Sequence, residues 1–233
     1  MAEWYSKIGF DGDPFSRDSG FEGHDELVDE VFYAIHSGNM VFIIGESGSG
    51  KTKILHEVIK RFGGKKRIIY LNCRHMQHEV NVEKVLQGRY GFFGKLFGIK
   101  PQNMILLLDE VEQLSPKNCE RIKYYFDQNH LSSVIFTGKE FSAETMSPSI
   151  AQRISKVMKI SPLSDYEAVR IIRDKIGDKF LSDRVIKSLY QLSGRNTGRL
   201  IQNCKTVMLE MAENKKDDIS EEDLQKILSV DEQ

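Results

Sequence analysis

The chain has 233 residues, with only three cysteines, one tryptophan and five prolines, and its charges nearly cancel. Cys73, Cys119 and Cys204 are odd in number and unrelated in spacing. That argues against a disulfide framework and points to reduced thiols, as in a cytoplasmic protein. No apolar run approaches the ~20 residues of a membrane span, and Met1 to Phe10 has no signal-peptide core, so no membrane partner is expected. Soft metal ligands crowd only at Cys73-Arg74-His75-Met76-Gln77-His78. No second cluster at zinc spacing accompanies them, so a structural role is the better reading.

The net charge of −1 neither demands nor rules out an anionic partner. Its distribution is more informative. Residues 1–50 carry two Lys/Arg against ten Asp/Glu, and residues 51–100 carry twelve against three. Within the basic half, the stretch from Arg89 to Phe97 mixes cations with aromatics and glycines, as nucleic-acid surfaces do. A short helix burying its phenylalanines, or a subunit contact, explains the same composition and is the commoner case.

The strongest signal lies at Val41 to Thr52, VFIIGESGSGKT. Val41-Phe42-Ile43-Ile44 reads as a buried strand. Gly45-Glu46-Ser47-Gly48-Ser49-Gly50-Lys51-Thr52 then matches the phosphate-loop pattern G-x-x-x-x-G-K-[ST]. Small residues let the backbone curl and aim its N–H groups inward. The helix expected from Lys53 to about Arg61 directs its positive end at the same place. Lys51 would reach the outer phosphates of a nucleotide and the Thr52 hydroxyl would hold Mg²⁺.

Around this loop the chain alternates strands and helices. Met1 to Asp25 reads as an aromatic-studded loop wrapping the domain, and a helix follows to about His36. Further strands are expected at 67–71, 104–108, 134–137 and 157–160, with helices over 79–87 and 116–129, the latter capped by Ser115. Strands alternating with helices imply an α/β fold, a five-stranded parallel sheet with helices on both faces. Beyond Pro162 only helices are expected. A capping box at Ser164 and Glu167 opens the first, Ser182 caps the second, a third spans about 197–213 and Ser220 starts a short last one. The reading is an α/β nucleotide-binding domain over residues 1–162 and a small all-α lid over residues 163–233.

Met104-Ile105-Leu106-Leu107-Leu108 ends in Asp109-Glu110, two acids delivered to the carboxyl end of a strand. In open parallel sheets that edge binds ligands. Asp109 would hold Mg²⁺ with Thr52, and Glu110 would polarise a water for attack on the γ-phosphate.

These motifs, with Asp13-Pro14-Phe15, YLNCR at 70–74, LLLDEVEQL at 106–114, AQRI at 151–154, SPLSDYEAVRII at 161–172 and SGRNTGRLI at 193–201, resemble the AAA+ ATPases, a branch of the P-loop NTPases. Within them the chain is similar to the origin-recognition and initiator ATPases of archaea and eukaryotes, and to related ATPases of transposition and secretion operons. The resemblance implies ATP and Mg²⁺ as ligands and an oligomer, of this chain or with a related subunit. It implies that Arg153 is an arginine finger entering a neighbour's site. It implies that Arg199 is the lid's sensor of the γ-phosphate, with Arg195 as the nearby alternative. For the polar sensor after the fourth strand, Thr137 fits by chemistry and Lys139 by position, a departure that bears on the hydrolysis rate. The winged-helix DNA reader common in initiators is not expected here, so any DNA contact would come from the ATPase body or a partner. A DNA-associated initiator, loader or transposition regulator is the implied role. A nucleotide switch acting on a protein client is the alternative.

Overall fold

The computed structural model describes residues 3–16, 23–63, 67–75, 84–85, 102–142, 146–214, 219 and 221–230. The stretch 89–97 and most of the helix expected over 79–87 lie outside the described residues, as do Met76 to His78. The chain divides into two compact units, residues 24–161 and residues 1–23 with 162–233.

The larger unit is built on five strands, β1 (Met40–Ile44), β2 (Ile68–Asn72), β3 (Met104–Asp109), β4 (Leu131–Gly138) and β5 (Ile154–Lys159). Their order is β2-β3-β4-β1-β5, and all four pairings are parallel. Of the inner strands, β1 and β3 are almost unbroken apolar runs because helices cover both of their faces. One face carries Met40, Phe42, Leu106, Leu108, Val134 and Phe136, packed with Cys119 and Ile122 of the helix Pro116–Asp127. The alternate residues Val41, Ile43, Leu107 and Ile135 are fully buried on the other face. There the helices Asp25–His36 and Lys51–Arg61 bury Val28, Val31, Ile54, Leu55 and Val58.

Two strands start three residues earlier than the sequence reading, and the others agree within one residue. β4 starts three residues early, at Leu131. The serines that interrupt its apolar run are bonded inside the sheet, Ser133 Oγ donating to the Asn39 carbonyl at 2.6 Å and Ser132 Oγ to that of Met104 at 3.3 Å. β5 runs over 154–159 rather than 157–160. It is an edge strand, mostly exposed, so its composition is polar and its apolar signal weak.

The smaller unit is helical, with the helices Asp165–Ile176, Asp183–Leu192, Thr197–Asn214 and Glu221–Val230. Ser164 and Glu167 form the reciprocal capping box, and Ser182 caps the next helix by accepting from Val185 N–H. The N-terminal segment belongs to this core and not to the α/β domain. Trp4, Ile8, Phe10 and Phe15 pack against it, and Lys205 pairs with Asp13. Lys175, itself buried, donates to the Phe15 carbonyl at 3.3 Å. Among the described residues no helix is long and apolar enough to cross a membrane.

Candidate functional site

The site forms where β1, β3 and β4 end. Gly45 follows β1 and is sewn to β4 by its N–H, which donates to the Gly138 carbonyl at 3.0 Å. A Cβ at Gly45 would press on Ser49 Oγ and on Ile160, so a side chain there would force both to shift. Gly50, with φ 102°, turns the chain straight into the helix. That helix therefore begins at Lys51, two residues earlier than its sequence pattern indicates, placing Lys51 and Thr52 in its first turn.

Lys51 is 7% exposed, and its ammonium donates to the carbonyls of Gly45 at 2.6 Å and Glu46 at 2.8 Å. Burial lowers its pKa from the ordinary lysine value, opposed by the charges of Glu112, Asp109 and Glu110. Glu46, Ser47 and Gly48 are exposed at the rim. Ser49 Oγ is buried and has no hydrogen-bond partner among the described residues. A hydroxyl held this way fits a loop shaped for a polar ligand.

Asp109 ends β3 fully buried, and three hydroxyls satisfy it. Thr52 Oγ1 donates to Oδ2 at 2.6 Å, Tyr70 OH to the same oxygen at 3.0 Å, and Thr137 Oγ1 to Oδ1. The Thr137 hydroxyl also accepts the Glu110 N–H at 3.3 Å. Thr137 thus holds both acids from beneath, and with no exposure it is placed to orient Asp109. Glu110 adopts the left-handed conformation, φ 54° and ψ 58°. For a residue with a Cβ this costs energy, and such strain recurs at functional sites. Its carboxylate stands 3.8 Å from Arg74 Nη1.

Ser47, Lys51, Arg74, Glu110, Glu112 and Lys139 line one cavity of about 240 Å³. Of the two sensor candidates, Lys139 therefore borders the cavity and Thr137 lies below it. Hard oxygen donors, the Thr52 hydroxyl and the Asp109 carboxylate, fit Mg²⁺, and the lysine-bearing loop fits phosphate oxygens. Cys73 belongs to the core beside this edge, where burial pushes its thiol up to about 12. Among the described residues no group of three His, Cys, Asp or Glu is placed to hold a metal by itself.

Arg153 is at the other edge of the sheet. Ile154 pairs with Met40 at the start of β1, whereas the phosphate loop follows Ile44 at its end. Four residue steps along the strand separate the two by roughly 13 Å. The Arg153 guanidinium grips Asp127 with two bonds of 2.9 Å. Arg199 stands exposed in the first turn of the helix Thr197–Asn214, in the smaller unit. Arg195 is engaged there by Asp165 at 3.1 Å.

A family model for an AAA domain matches residues 37–169, more than half of the chain and all five strands. The chain belongs to the AAA domain family. Solved structures of similar fold include the RuvB Holliday junction branch migration motor of Thermotoga maritima. It is 16% identical, with TM-score 0.67, over 93% of this chain and 73% of that one. Orc1 of Aeropyrum pernix, solved in complex with DNA, is 14% identical with TM-score 0.69 over 93% and 68%. Cdc6p of Pyrobaculum aerophilum is 15% identical with TM-score 0.67 over 94% and 70%. At these identities the likeness is one of fold. No curated protein matches by sequence. The AAA assignment accounts for the phosphate loop and the acid pair.

Sequence reasoning missed Tyr70 and Glu112 as members of this AAA site. Both stand inside motifs already singled out, YLNCR and DEVE. Their roles depend on the pairing of β2 with β3, which sets Asn72 beside Asp109, and on the turn that follows β3.

Proposed function

We propose that this AAA protein binds ATP with Mg²⁺ and hydrolyses it, in a site completed by a neighbouring copy or a related subunit. The observation that carries the reading is the Thr52 Oγ1–Asp109 Oδ2 contact of 2.6 Å beside a buried Lys51. Gly45 to Thr52 would hold the phosphates, Lys51 neutralising them. Thr52 and Asp109 would hold Mg²⁺, which when bound supplies charge to the phosphate oxygens. Glu110, held at the cavity by its strained backbone, accepts the proton of an attacking water. Lys139 adds positive charge at the same cavity, and Thr137 keeps the acids in place. Arg153, turned away from its own chain's loop, would act on a neighbour after leaving Asp127. Arg199 would sense the terminal phosphate from the helical unit.

The work done with this energy is proposed to be on DNA, as initiator, loader or transposition-type regulator. The support is that two proteins of similar fold are named for DNA transactions, one a Holliday junction motor and one bound to DNA. A switch acting on a protein client is the second reading. The test is calorimetry with Mg²⁺ and ATP, followed by hydrolysis assays with and without DNA. ATP binding, loss of turnover in Glu110→Gln, and DNA stimulation that falls steeply with salt are expected. Absence of ATP binding removes the whole proposal. Hydrolysis indifferent to DNA, with Arg89→Glu and Lys95→Glu silent, leaves the protein-client reading.

A further inference from the structure

The third acid of the β3 motif has no role in the scheme above, and its placement assigns it one. Glu112 lies in the single 3-10 turn Val111–Gln113 that follows Glu110. Its Oε1 accepts the backbone N–H of Lys139 at 2.7 Å. β4 ends one residue earlier, at Gly138, so this N–H falls beyond the strand and needs a partner from elsewhere. The fit around Gly138 is close. A Cβ there would stand 2.8 Å from Phe42 Cζ and 3.5 Å from Glu112 Oε1. Glu112 and Lys139 both line the cavity that Ser47 and Lys51 border.

We propose that Glu112 is a positioning residue, a tether from the turn after β3 to the turn after β4 that sets where the Lys139 ammonium stands in the phosphate cavity. The inference rests on the ATPase reading. It adds that Glu112 acts through Lys139, and that its negative charge in a site for a polyanion weakens ATP binding while its hydrogen bond serves turnover. Glu112 lines that cavity together with Lys51 and Lys139, so its charge stands among the groups that would meet a polyanion.

The two parts separate by substitution. Glu112→Gln keeps an acceptor for the Lys139 N–H and removes the charge, whereas Glu112→Ala removes both. Both variants are expected to bind ATP about threefold more tightly, because a like charge leaves the cavity. Turnover is expected to fall about tenfold in Glu112→Ala, as for a displaced catalytic group, and to stay within about threefold of the parent in Glu112→Gln. In a Lys139→Ala background, Glu112→Ala is expected to cost no further turnover, since the two residues act as one unit. In the nucleotide-free protein, amide exchange at Lys139 is expected to speed up in the alanine variant and not in the glutamine variant.

Equal turnover in the two Glu112 variants, or a full additional loss in the Lys139→Ala background, overturns the tether. A uniform drop in melting temperature with no split between affinity and turnover also overturns it, because it marks a role in stability alone. The parent protein, measured alongside, separates this failure from that of the ATPase reading. If the parent binds and hydrolyses ATP while the variants match it, only the tether falls. If the parent does not bind ATP, both fall.

Discussion

At the carboxyl edge of the sheet, Asp109 and Thr137 are fully buried and joined by hydrogen bonds, whereas at the amino edge Arg153 is partly exposed and clasps Asp127. The first edge is a prearranged network in which Asp109 is bonded by three hydroxyls of its own chain. The second is a surface ion pair. Asp127 closes the helix Pro116–Asp127, where a negative charge meets the negative end of the helix dipole, and Arg153 offsets that charge. A group that binds inside the chain must be fixed in advance, because reorganisation in a buried site is costly. A group meant for a neighbour has to be releasable, and exposed ion pairs hold weakly. The contrast is the physical basis for reading the carboxyl edge as the chain's own site and Arg153 as a donor to another.

The largest expected effect is at the carboxyl edge. Lys51→Ala should weaken ATP binding more than about a hundredfold by calorimetry, with an unchanged circular dichroism spectrum. Next is Arg153→Ala, expected to lower turnover by roughly 10³ while leaving ATP affinity unchanged. Mixing it with Glu110→Gln should restore part of the turnover, since each chain then supplies what the other lacks. No recovery at any ratio, or a loss of affinity in Arg153→Ala alone, would break the division between the two edges.

Thermal unfolding sharpens the same contrast. Thr137→Val strands the Asp109 Oδ1 and the Glu110 N–H and should cost about 1–3 kcal/mol. Asp127→Asn removes only a surface partner and should cost less than about 1 kcal/mol. The smallest effect concerns Tyr70, whose hydroxyl is pushed up to about 12 from 10.0 by burial and then by Asp109. Unfolded chains ionise at the lower value, so the fold loses stability as pH rises from 10 to 12. That decline, followed by denaturant titration, should be shallower in Tyr70→Phe.

Much of this was legible in the residues. The phosphate loop and acid pair are local patterns whose spacing survives any arrangement of the rest. The caps at Ser115, Ser164 and Ser182 were readable because each bonds to an N–H three residues on. The apolar runs of the inner strands follow from burial on both faces. Less legible was the start of β4, where two serines satisfied inside the sheet break the pattern that marks a strand. The aromatics of residues 4–15 announced a buried segment but could not say which core they fill, since either would suit them.

The sequence by itself determined the phosphate-loop pattern, because a glycine-rich loop, its lysine and its threonine are neighbours along the chain and the pattern needs no distant partner. Only the tertiary structure decided the partners of Thr137, Tyr70, Glu112 and Arg153. Each acts through a residue on another strand or helix, and parallel strand order, with the depth of burial it creates, is a property of the assembled sheet.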